Sequence, residues 1–234
     1  MLGTIVNALA IIVGCIIGLI VKERLTEKMS STIMSGLALC VLYIGISGAL
    51  KGQDTLIIII CIAVGALIGE IIDIDKRLND LGNFIENKIN LKKKNKDSEK
   101  ISISEGFVTS SLLFCVGAMA VVGSLESGLQ GNHSTLFAKS ILDGVSSIIF
   151  ASSLGIGVML SSVAILVYQG SITLLAGCLS SVLTDKVIGN MSAIGSVLIM
   201  GLGTNMIGAS KIKVANLLPA IFLPIIIYLV QILI

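Results

Sequence analysis

Two charged side chains, Lys139 and Asp143, stand inside the apolar run Leu136–Leu154. They are four residues apart, so on a helix they would share one face and could form an ion pair. A charge inside a membrane-spanning helix is costly and is found mainly where it pairs with another group or serves a function. The sequence leaves two interpretations open: a neutralised pair near one helix end, or a cation or proton site at Asp143 that Lys139 tunes.

A second polar group, Tyr168-Gln169-Gly170-Ser171, interrupts the uncharged run Ile156–Thr184. Glycine followed by serine can unwind a helix and free its backbone groups, which a membrane tolerates only where protein or water covers them. The stretch predicts a discontinuous crossing with polar side chains beside the break, or an ordinary kink packed against a neighbour. Whether the run is one crossing or a crossing plus a re-entrant segment stays open.

Other polar residues in apolar runs are candidate partners of these groups. Asn7 and Asn205 could complete a site, or could form interhelical hydrogen bonds worth ~1 kcal/mol. Ser146 could add a hydroxyl near Asp143, although serines of this region can also bond to carbonyls of their own helix. No catalytic or metal-binding set is predicted. The predicted substrate- or ion-binding residues are Asp143, Tyr168, Gln169, Gly170, Ser146, Asn7 and Asn205.

The composition indicates the solvent in which these residues fold. Of 234 residues, 55% are hydrophobic and 13% are charged, and the mean hydropathy is +1.03. Soluble domains average about 25% charged residues, and several apolar runs approach the ~20 residues that a crossing helix needs. The sequence predicts an all-α, polytopic transmembrane helix bundle of about eight crossings, with seven left open.

The predicted segments fall into three regions: residues 1–75 with helices one to three, residues 76–103 with an amphipathic helix and a basic cytoplasmic linker, and residues 104–234 with helices four to eight. The amphipathic helix is indicated by apolar residues three and four apart. Glycines with GxxxG spacing, as at Gly14 and Gly18, predict close helix packing, and Pro219 and Pro224 predict a kinked last helix. The predicted crossings are Leu2–Val21, Ser31–Leu50, Thr55–Asp73, Gly106–Ser124, Leu136–Leu154, Ile156–Thr184, Val187–Ala209 and Val214 onward; the amphipathic face is Ile74, Leu78, Leu81, Ile85 and Ile89.

Lysine and arginine cluster in alternate loops, which predicts the orientation. Lys22, Arg24, the linker and Lys213 would lie in the cytoplasm, so both termini would lie outside. The segment GTIVNALAIIVGC from Gly3 resembles GSITLLAGC from Gly170. This match indicates an inverted repeat, a feature of many secondary transporters, although a coincidence between two apolar segments remains an alternative.

Four longer stretches carry a resemblance to a known family: FCVGAMAVVGSLESGLQGN, LDGVSSIIFASSLGIGVMLSS, YQGSITLLAG and KIKVANLLPA. Together with the GTIVN start, they are similar to the YqgA/YdfK-like family of bacterial integral membrane proteins, whose function is unknown. The resemblance extends over the whole chain. It implies a multi-pass protein of the bacterial cytoplasmic (inner) membrane, and it implies no substrate.

Missing motifs narrow the function. The sequence has no Walker loop and no zinc or serine hydrolase motif, so we expect neither an enzyme nor a cofactor. The acids, amides and hydroxyls suit a small solute or cation, and we expect a membrane transporter or channel with a site near a discontinuous helix. The alternative is a non-transporting scaffold or sensor protein. The expected partners are the lipid bilayer and the solute, with no nucleic acid, and a homo-oligomer is left open.

Overall fold

A computed structural model describes residues 1–22, 26–52, 54–80, 103–115 and 118–233. These residues are mostly helical and include no β-strand, so the prediction of an all-α bundle is confirmed. A 3₁₀ helix, Val214–Phe222, precedes the last α-helix, and residues 74–80 are also helical. The α-helices are α1 Leu2–Lys22, α2 Glu27–Ala49, α3 Thr55–Ile72, α4 Ile103–Cys115, α5 Ala118–Leu129, α6 Ser134–Leu154, α7 Gly157–Leu174, α8 Ala176–Leu179, α9 Asp185–Met206 and α10 Leu223–Leu233.

Seven candidate membrane spans lie in the described ranges, each at least 18 residues long and apolar. Helices α4 and α5 are each too short to be counted; taken together as one span they would bring the number to eight, and the angle between Ile103–Cys115 and Met119–Leu129 is 61°. The pair is either a broken crossing or a re-entrant segment. The described residues thus give seven candidate crossings, or eight with this pair, which agrees with the expectation of about eight with seven left open.

The break predicted at Tyr168–Ser171 is wrong, because α7 is helical without interruption from Gly157 to Leu174. The remainder of the uncharged run forms the four-residue helix α8 and a turn. The run is thus one crossing followed by a short helix. The segment that begins at Gly170 covers the end of α7, whereas its proposed counterpart at Gly3 covers the start of α1, so the structure does not confirm the inverted repeat.

Helices pack mainly in pairs: α1 with α6, α2 with α9, α3 with the 3₁₀ helix, and α4 with α7. Helices α1 and α6 run parallel, since Gly3 meets Leu136 near the start of both helices and Gly18 meets Ala151 further along. The opposite side of α1 exposes large apolar residues, as expected of a surface that faces lipid. These residues are Leu2, Ile5, Leu9, Val13, Ile16 and Ile20.

Glycines allow the tight contact between α1 and α6. A Cβ atom at Gly14 would collide with the backbone oxygen of Gly144, and one at Gly18 would collide with that of Ile148. No side chain other than hydrogen fits at such a distance, so the GxxxG spacing holds two helix backbones against each other. This confirms the close packing that the spacing predicts.

The last crossing begins as a 3₁₀ helix because of its sequence and its neighbours. Pro219 lies inside the 3₁₀ helix, and a proline has no backbone N–H to continue a regular α-helix. Ala220 and Asn216 stand directly against Gly65 and Gly69 of α3. Pro224 is the second residue of α10, in the first turn, where the missing N–H costs nothing.

Helix α3 ends at Ile72 and is capped by Asp73, which has a left-handed backbone conformation with φ of 52°. The chain then turns into the helical residues 74–80, whose Ile74 and Leu78 pack against the hydrophobic core. This part of the predicted amphipathic helix therefore covers the bundle with its apolar face. Leu81, Ile85 and Ile89, which complete the predicted face, lie outside the described residues.

The loops fall on two faces of the bundle. The ends of α1 and α6 lie together, since Lys22 Nζ is 3.5 Å from the position that a Cβ of Gly155 would take. We call this face, to which Lys213 also belongs, the basic face. The other face carries the N-terminus, and we call it the N-terminal face; there Lys186 pairs with Asp54 at 3.4 Å.

The charge distribution predicts that the basic face is cytoplasmic. In a background without the native cysteines, an impermeant thiol reagent added to intact cells should label Gln130→Cys on the N-terminal face. Ala209→Cys on the basic face should react only after the membrane is opened. Both residues are exposed, so burial would not confuse the comparison. Labelling of both positions from the same side would contradict the alternation of faces.

The packing of α1 on α6 can be tested at Gly14. Gly14→Leu should lower the free energy of unfolding by at least about 1–3 kcal/mol, the usual cost of overpacking. The matched control is Gly36→Leu in α2, where nothing lies within 4 Å of the added Cβ. Thermal unfolding in detergent should show a large drop in Tm for the first variant and little change for the second. Equal Tm values would contradict the close contact.

Candidate functional site

Four polar side chains from three helices meet in the interior of the bundle. Asn7 Nδ2 donates hydrogen bonds to Asp143 Oδ2 at 3.0 Å and to Gln169 Oε1 at 3.4 Å. Lys139 Nζ lies 3.0 Å from Asp143 Oδ1. None of the four residues is more than 7% exposed. We call Asn7, Lys139, Asp143 and Gln169 the polar cluster.

The helices place this cluster at depth. Asp143 is the tenth residue of α6, which puts it about 14 Å from the start of that helix at 1.5 Å per residue. Asn7 lies on the buried stripe of α1 that continues through Ile11, Gly14 and Gly18. Because the glycines hold this stripe against α6, the amide of Asn7 reaches the carboxylate.

The ion pair predicted from the i, i+4 spacing is therefore present, and it is buried rather than interfacial. Removing either partner of such a pair typically costs 3–5 kcal/mol, because the other charge is left in a medium of low polarity. Asn7 donates a hydrogen bond to the second carboxylate oxygen of Asp143. Both oxygens of the buried carboxylate therefore have a partner, which lowers the cost of its burial. The pair alone therefore has a structural explanation, and any functional argument must rest on the atoms around it.

Several atoms around the pair have no partner among the described residues. Asn7 Oδ1 and Gln169 Nε2 are buried without a hydrogen bond, and so are the hydroxyls of Thr4 and Thr173. Thr4 precedes Asn7 by three residues and Thr173 follows Gln169 by four, so each shares a helix face with its amide. A buried polar group without a partner costs about 1–3 kcal/mol. The hydroxyls of Thr109, Ser111 and Ser153 are also buried without a partner among the described residues, but the two amide atoms belong to residues that hydrogen-bond to Asp143 or to each other. These amides, with the threonines one helical turn away, mark a place that a polar ligand or water would fill.

Thr4 and Thr173 were missed from the sequence. A signal existed, since each threonine is one helical turn from an amide already singled out. Threonine alone carries little information in an apolar helix, because its hydroxyl usually bonds to a carbonyl of its own helix. Only the fold shows that α1 and α7 meet through Asn7 and Gln169, which places both threonines one helical turn from that contact.

Most serines of α6 and α7 behave as the alternative interpretation predicts, although the hydroxyl of Ser153 has no partner among the described residues. Ser140, Ser147 and Ser161 each donate to a carbonyl three or four residues earlier in their own helix, at 2.7 Å. Ser146 is half-buried, and the structure gives it no hydrogen bond to Asp143. Its predicted place in the site has no support from the described contacts.

Asn205 is also separate from the polar cluster. It lies near the end of α9 on the basic face, where its Oδ1 accepts hydrogen bonds from the backbone N–H of Ile212 at 2.9 Å and from Ser210 Oγ at 2.7 Å. Its Nδ2 donates to the Ile212 carbonyl at 2.7 Å. Asn205 therefore holds the loop before the 3₁₀ helix, and the structure does not bring it together with Asn7 or Gln169.

Tyr168, the residue before Gln169, lines a cavity of about 470 Å³. Its ring contacts the edge of Phe222, with centroids 6.5 Å apart. The cavity also reaches Cys115 at the end of α4, and Cys115 is close enough to Lys139 and Asp143 to interact with their charges. The rest of the lining is almost entirely apolar and includes Ile74, Phe107, Leu112, Ala164, Leu218 and Ile221.

A second group of charges lies on the basic face. Glu70 Oε1 accepts a hydrogen bond from Lys213 at 2.9 Å, and Glu70 Oε2 accepts one from Asn216 at 2.6 Å. Asn216 Oδ1 in turn accepts the backbone N–H of Asp75 at 2.7 Å. The hydrogen bond and the charge of Glu70 raise the pKa of Lys213. Because Glu70 and Lys213 are exposed, their pairing adds little stability, and Asn216 is the residue that joins α3, the 3₁₀ helix and residues 74–80.

The helical conformation at Gly170 can be tested directly. A Cβ at Gly170 would meet only Met1 Cε, at the ordinary distance of 3.5 Å. Gly170→Ala should therefore stabilise the protein by up to ~1 kcal/mol, the difference in helix propensity. At the control position Gly128, an added Cβ would collide with the Thr173 carbonyl, so Gly128→Ala should lower the Tm. A lowered Tm for Gly170→Ala instead would favour an unwound backbone at that position.

Comparison with known proteins gives the chain a family. The family model described as "Protein of unknown function (DUF554)" matches residues 2–229. The uncharacterized membrane protein YdfK of Bacillus subtilis (strain 168) is 31% identical over 228 residues, which cover 96% of this chain and 94% of the relative. The uncharacterized protein YqgA of Escherichia coli (strain K12) is 31% identical over 222 residues, covering 95% and 94%. No solved structure matches. The resemblance inferred from the sequence motifs is confirmed, and the chain belongs to the DUF554 family of membrane proteins.

Proposed function

We propose that this protein is a membrane transporter or channel for a small solute or cation, and that the ligand binds at the polar cluster. The observation that carries the proposal is the set of four unpartnered polar atoms, on Thr4, Asn7, Gln169 and Thr173, around a buried ion pair. Apolar residues at these positions would make the folded bundle more stable, because a partly hydrogen-bonded polar network costs more folding free energy than an apolar core. Stability alone therefore does not explain the polar residues.

The surroundings of the cluster favour transport. The broken pair α4 and α5 bends at the point where Cys115 approaches the cluster, and broken helices at mid-depth are typical of binding sites in secondary transporters. The cavity at Tyr168 supplies space next to the same residues. Because the sequence has no Walker loop, we propose that transport is not driven by ATP on this chain, and that the protein is not an enzyme.

The membrane assignment has a finer part that is also a proposal. We place the protein in the bacterial cytoplasmic (inner) membrane with the N-terminus outside. The support is the concentration of Lys22, Lys211 and Lys213 on one face, together with the linker lysines. The few lysines on the other face include Lys51 and Lys186, and Lys186 is paired with Asp54.

A ligand screen tests the proposal. Full-length protein in detergent would be heated with amines, amino acids, other small polar solutes and metal ions. We expect at least one compound class to raise the Tm of the wild type, because a ligand that binds only the folded state stabilises it. The double variant Lys139→Gln/Asp143→Asn removes both buried charges together, so no uncompensated charge is left and the protein should still fold. It should lose the stabilisation by the ligand.

The matched control applies the same chemical change to an exposed pair. Lys186→Gln/Asp54→Asn removes the ion pair on the N-terminal face, which contributes little stability, and should keep the response to the ligand. A response that survives in the cluster variant would exclude the polar cluster as the site. No response to any compound would favour the alternative of a non-transporting scaffold or sensor.

A further inference from the structure

The charge balance of the polar cluster restricts what it can bind. Among the described residues, Lys139 and Asp143 are the charged side chains that make hydrogen bonds in the cluster, and their charges cancel. Helices α1 and α7 contribute amides and hydroxyls, and α4 contributes the thiol of Cys115. A net-charged ligand would leave one uncompensated charge in a buried, weakly polar site, which is costly. A ligand that is neutral overall avoids this cost.

The cluster has both hydrogen-bond donors and hydrogen-bond acceptors without a partner. Lys139 carries three N–H donors and the structure gives it one hydrogen bond, to Asp143. Asn7 Oδ1 is a free acceptor, and Gln169 Nε2 is a free donor. Turning either amide would exchange its two ends and keep one oxygen and one NH₂ group in the cluster. The site therefore offers donors beside a cation and acceptors beside an anion, which fits a ligand that carries both kinds of group.

The cavity at Tyr168 adds an apolar compartment to this polar one. It ends at Tyr168, the residue before Gln169, and at Cys115, which interacts with both charges. Its volume of about 470 Å³ is within the usual range for small-molecule sites. None of the four cluster residues lines the cavity, so its link to the cluster is through Tyr168, next to Gln169 in α7, and through Cys115.

We propose that the ligand is a zwitterion with an apolar side chain, of the kind that a small apolar α-amino acid represents. Its ammonium group would bind Asp143 and Asn7 Oδ1, its carboxylate would bind Lys139 and Gln169 Nε2, and its side chain would occupy the cavity at Tyr168. This inference rests on the proposed transport function and specifies the substrate class of the same site.

Calorimetric binding to the purified full-length chain tests the substrate class. The probes are L-leucine, its methyl ester with the amine protonated, N-acetyl-L-leucine, glycine, NaCl and KCl. The ester lacks the carboxylate and the N-acetyl derivative lacks the ammonium group. L-leucine should bind, and each derivative should bind at least about tenfold more weakly, because it loses a charge-assisted hydrogen bond and leaves the site charged. Glycine should also bind more weakly than leucine, because it leaves the cavity empty.

Variants of the pair should change this preference in opposite directions. Lys139→Gln should shift binding toward the ester, and Asp143→Asn should shift it toward N-acetyl-L-leucine, by about tenfold or more. If these variants fail to fold, the exchanged pair Lys139→Asp/Asp143→Lys keeps both charges and should still prefer leucine to either derivative. A preference of that variant for one derivative would overturn the proposal.

The cavity has its own control on the same helix. Ala164→Phe should fill the cavity and weaken leucine binding about tenfold while leaving glycine binding unchanged. Val163→Phe places the same ring on a neighbouring position that is 56% exposed and should have no effect. Equal effects of the two variants would remove the cavity from the site.

The outcomes separate the two proposals. Binding of the ester, of Na⁺ or of K⁺ as tight as that of leucine would overturn the zwitterion and leave a cation transporter. Binding of none of these probes, while a solute of the broader screen that is not a zwitterion stabilises the protein, would also reject the zwitterion alone. If no compound of either screen binds, both the substrate class and the transport function fail.

Discussion

The ion pair between Lys139 and Asp143 is the interaction on which the arrangement of the bundle core depends. Two charges with almost no exposure to solvent are tolerated only if each is kept next to a partner. This requirement fixes the position of Asn7, which satisfies the second carboxylate oxygen, and hence the distance between α1 and α6. Gly14 and Gly18 allow the backbones of α1 and α6 to approach closely enough for this hydrogen bond. A larger residue at either position would push Asn7 away from the carboxylate.

Some buried polar side chains have hydrogen-bond partners and others have none. Most buried serines of α6 and α7, such as Ser140, Ser147 and Ser161, bond to carbonyls of their own helices, so they add little polarity to the space between helices; the hydroxyl of Ser153 is an exception and has no partner among the described residues. The amides and threonines of α1 and α7 are left partly unsatisfied in that space. Since buried polar groups are nearly always hydrogen-bonded in folded proteins, this difference distinguishes residues that pack from residues that await a partner. It also explains why counting polar residues in the sequence overstates the size of the site.

The sequence predicted the crossings and the Lys139–Asp143 pair because both follow from periodicity along one chain segment. Gln169 was found because a glutamine in an uncharged run is expensive wherever it lies. The position of the broken helix was not found, because glycine is compatible with a kink, with close packing and with a regular helix. Gly170 proved to be helical and close only to the side chain of Met1, whereas the bend lies between α4 and α5. Asn205 shows the same limit, since only the fold reveals that it lies on the basic face.

The cluster is closed in this structure, so a ligand can reach it only if a neighbouring element moves. Helices α1 and α6 are poorly suited to move apart, because their glycine contacts join backbone to backbone along much of their length. The elements around the cavity at Tyr168 are less regular. Pro219 lies within a nine-residue 3₁₀ helix, longer than is usual for this less stable geometry, and α4 and α5 meet at a bend. The charges therefore lie on a rigid pair of helices, α1 and α6. The elements that border the cavity are irregular, so displacing them should cost less free energy.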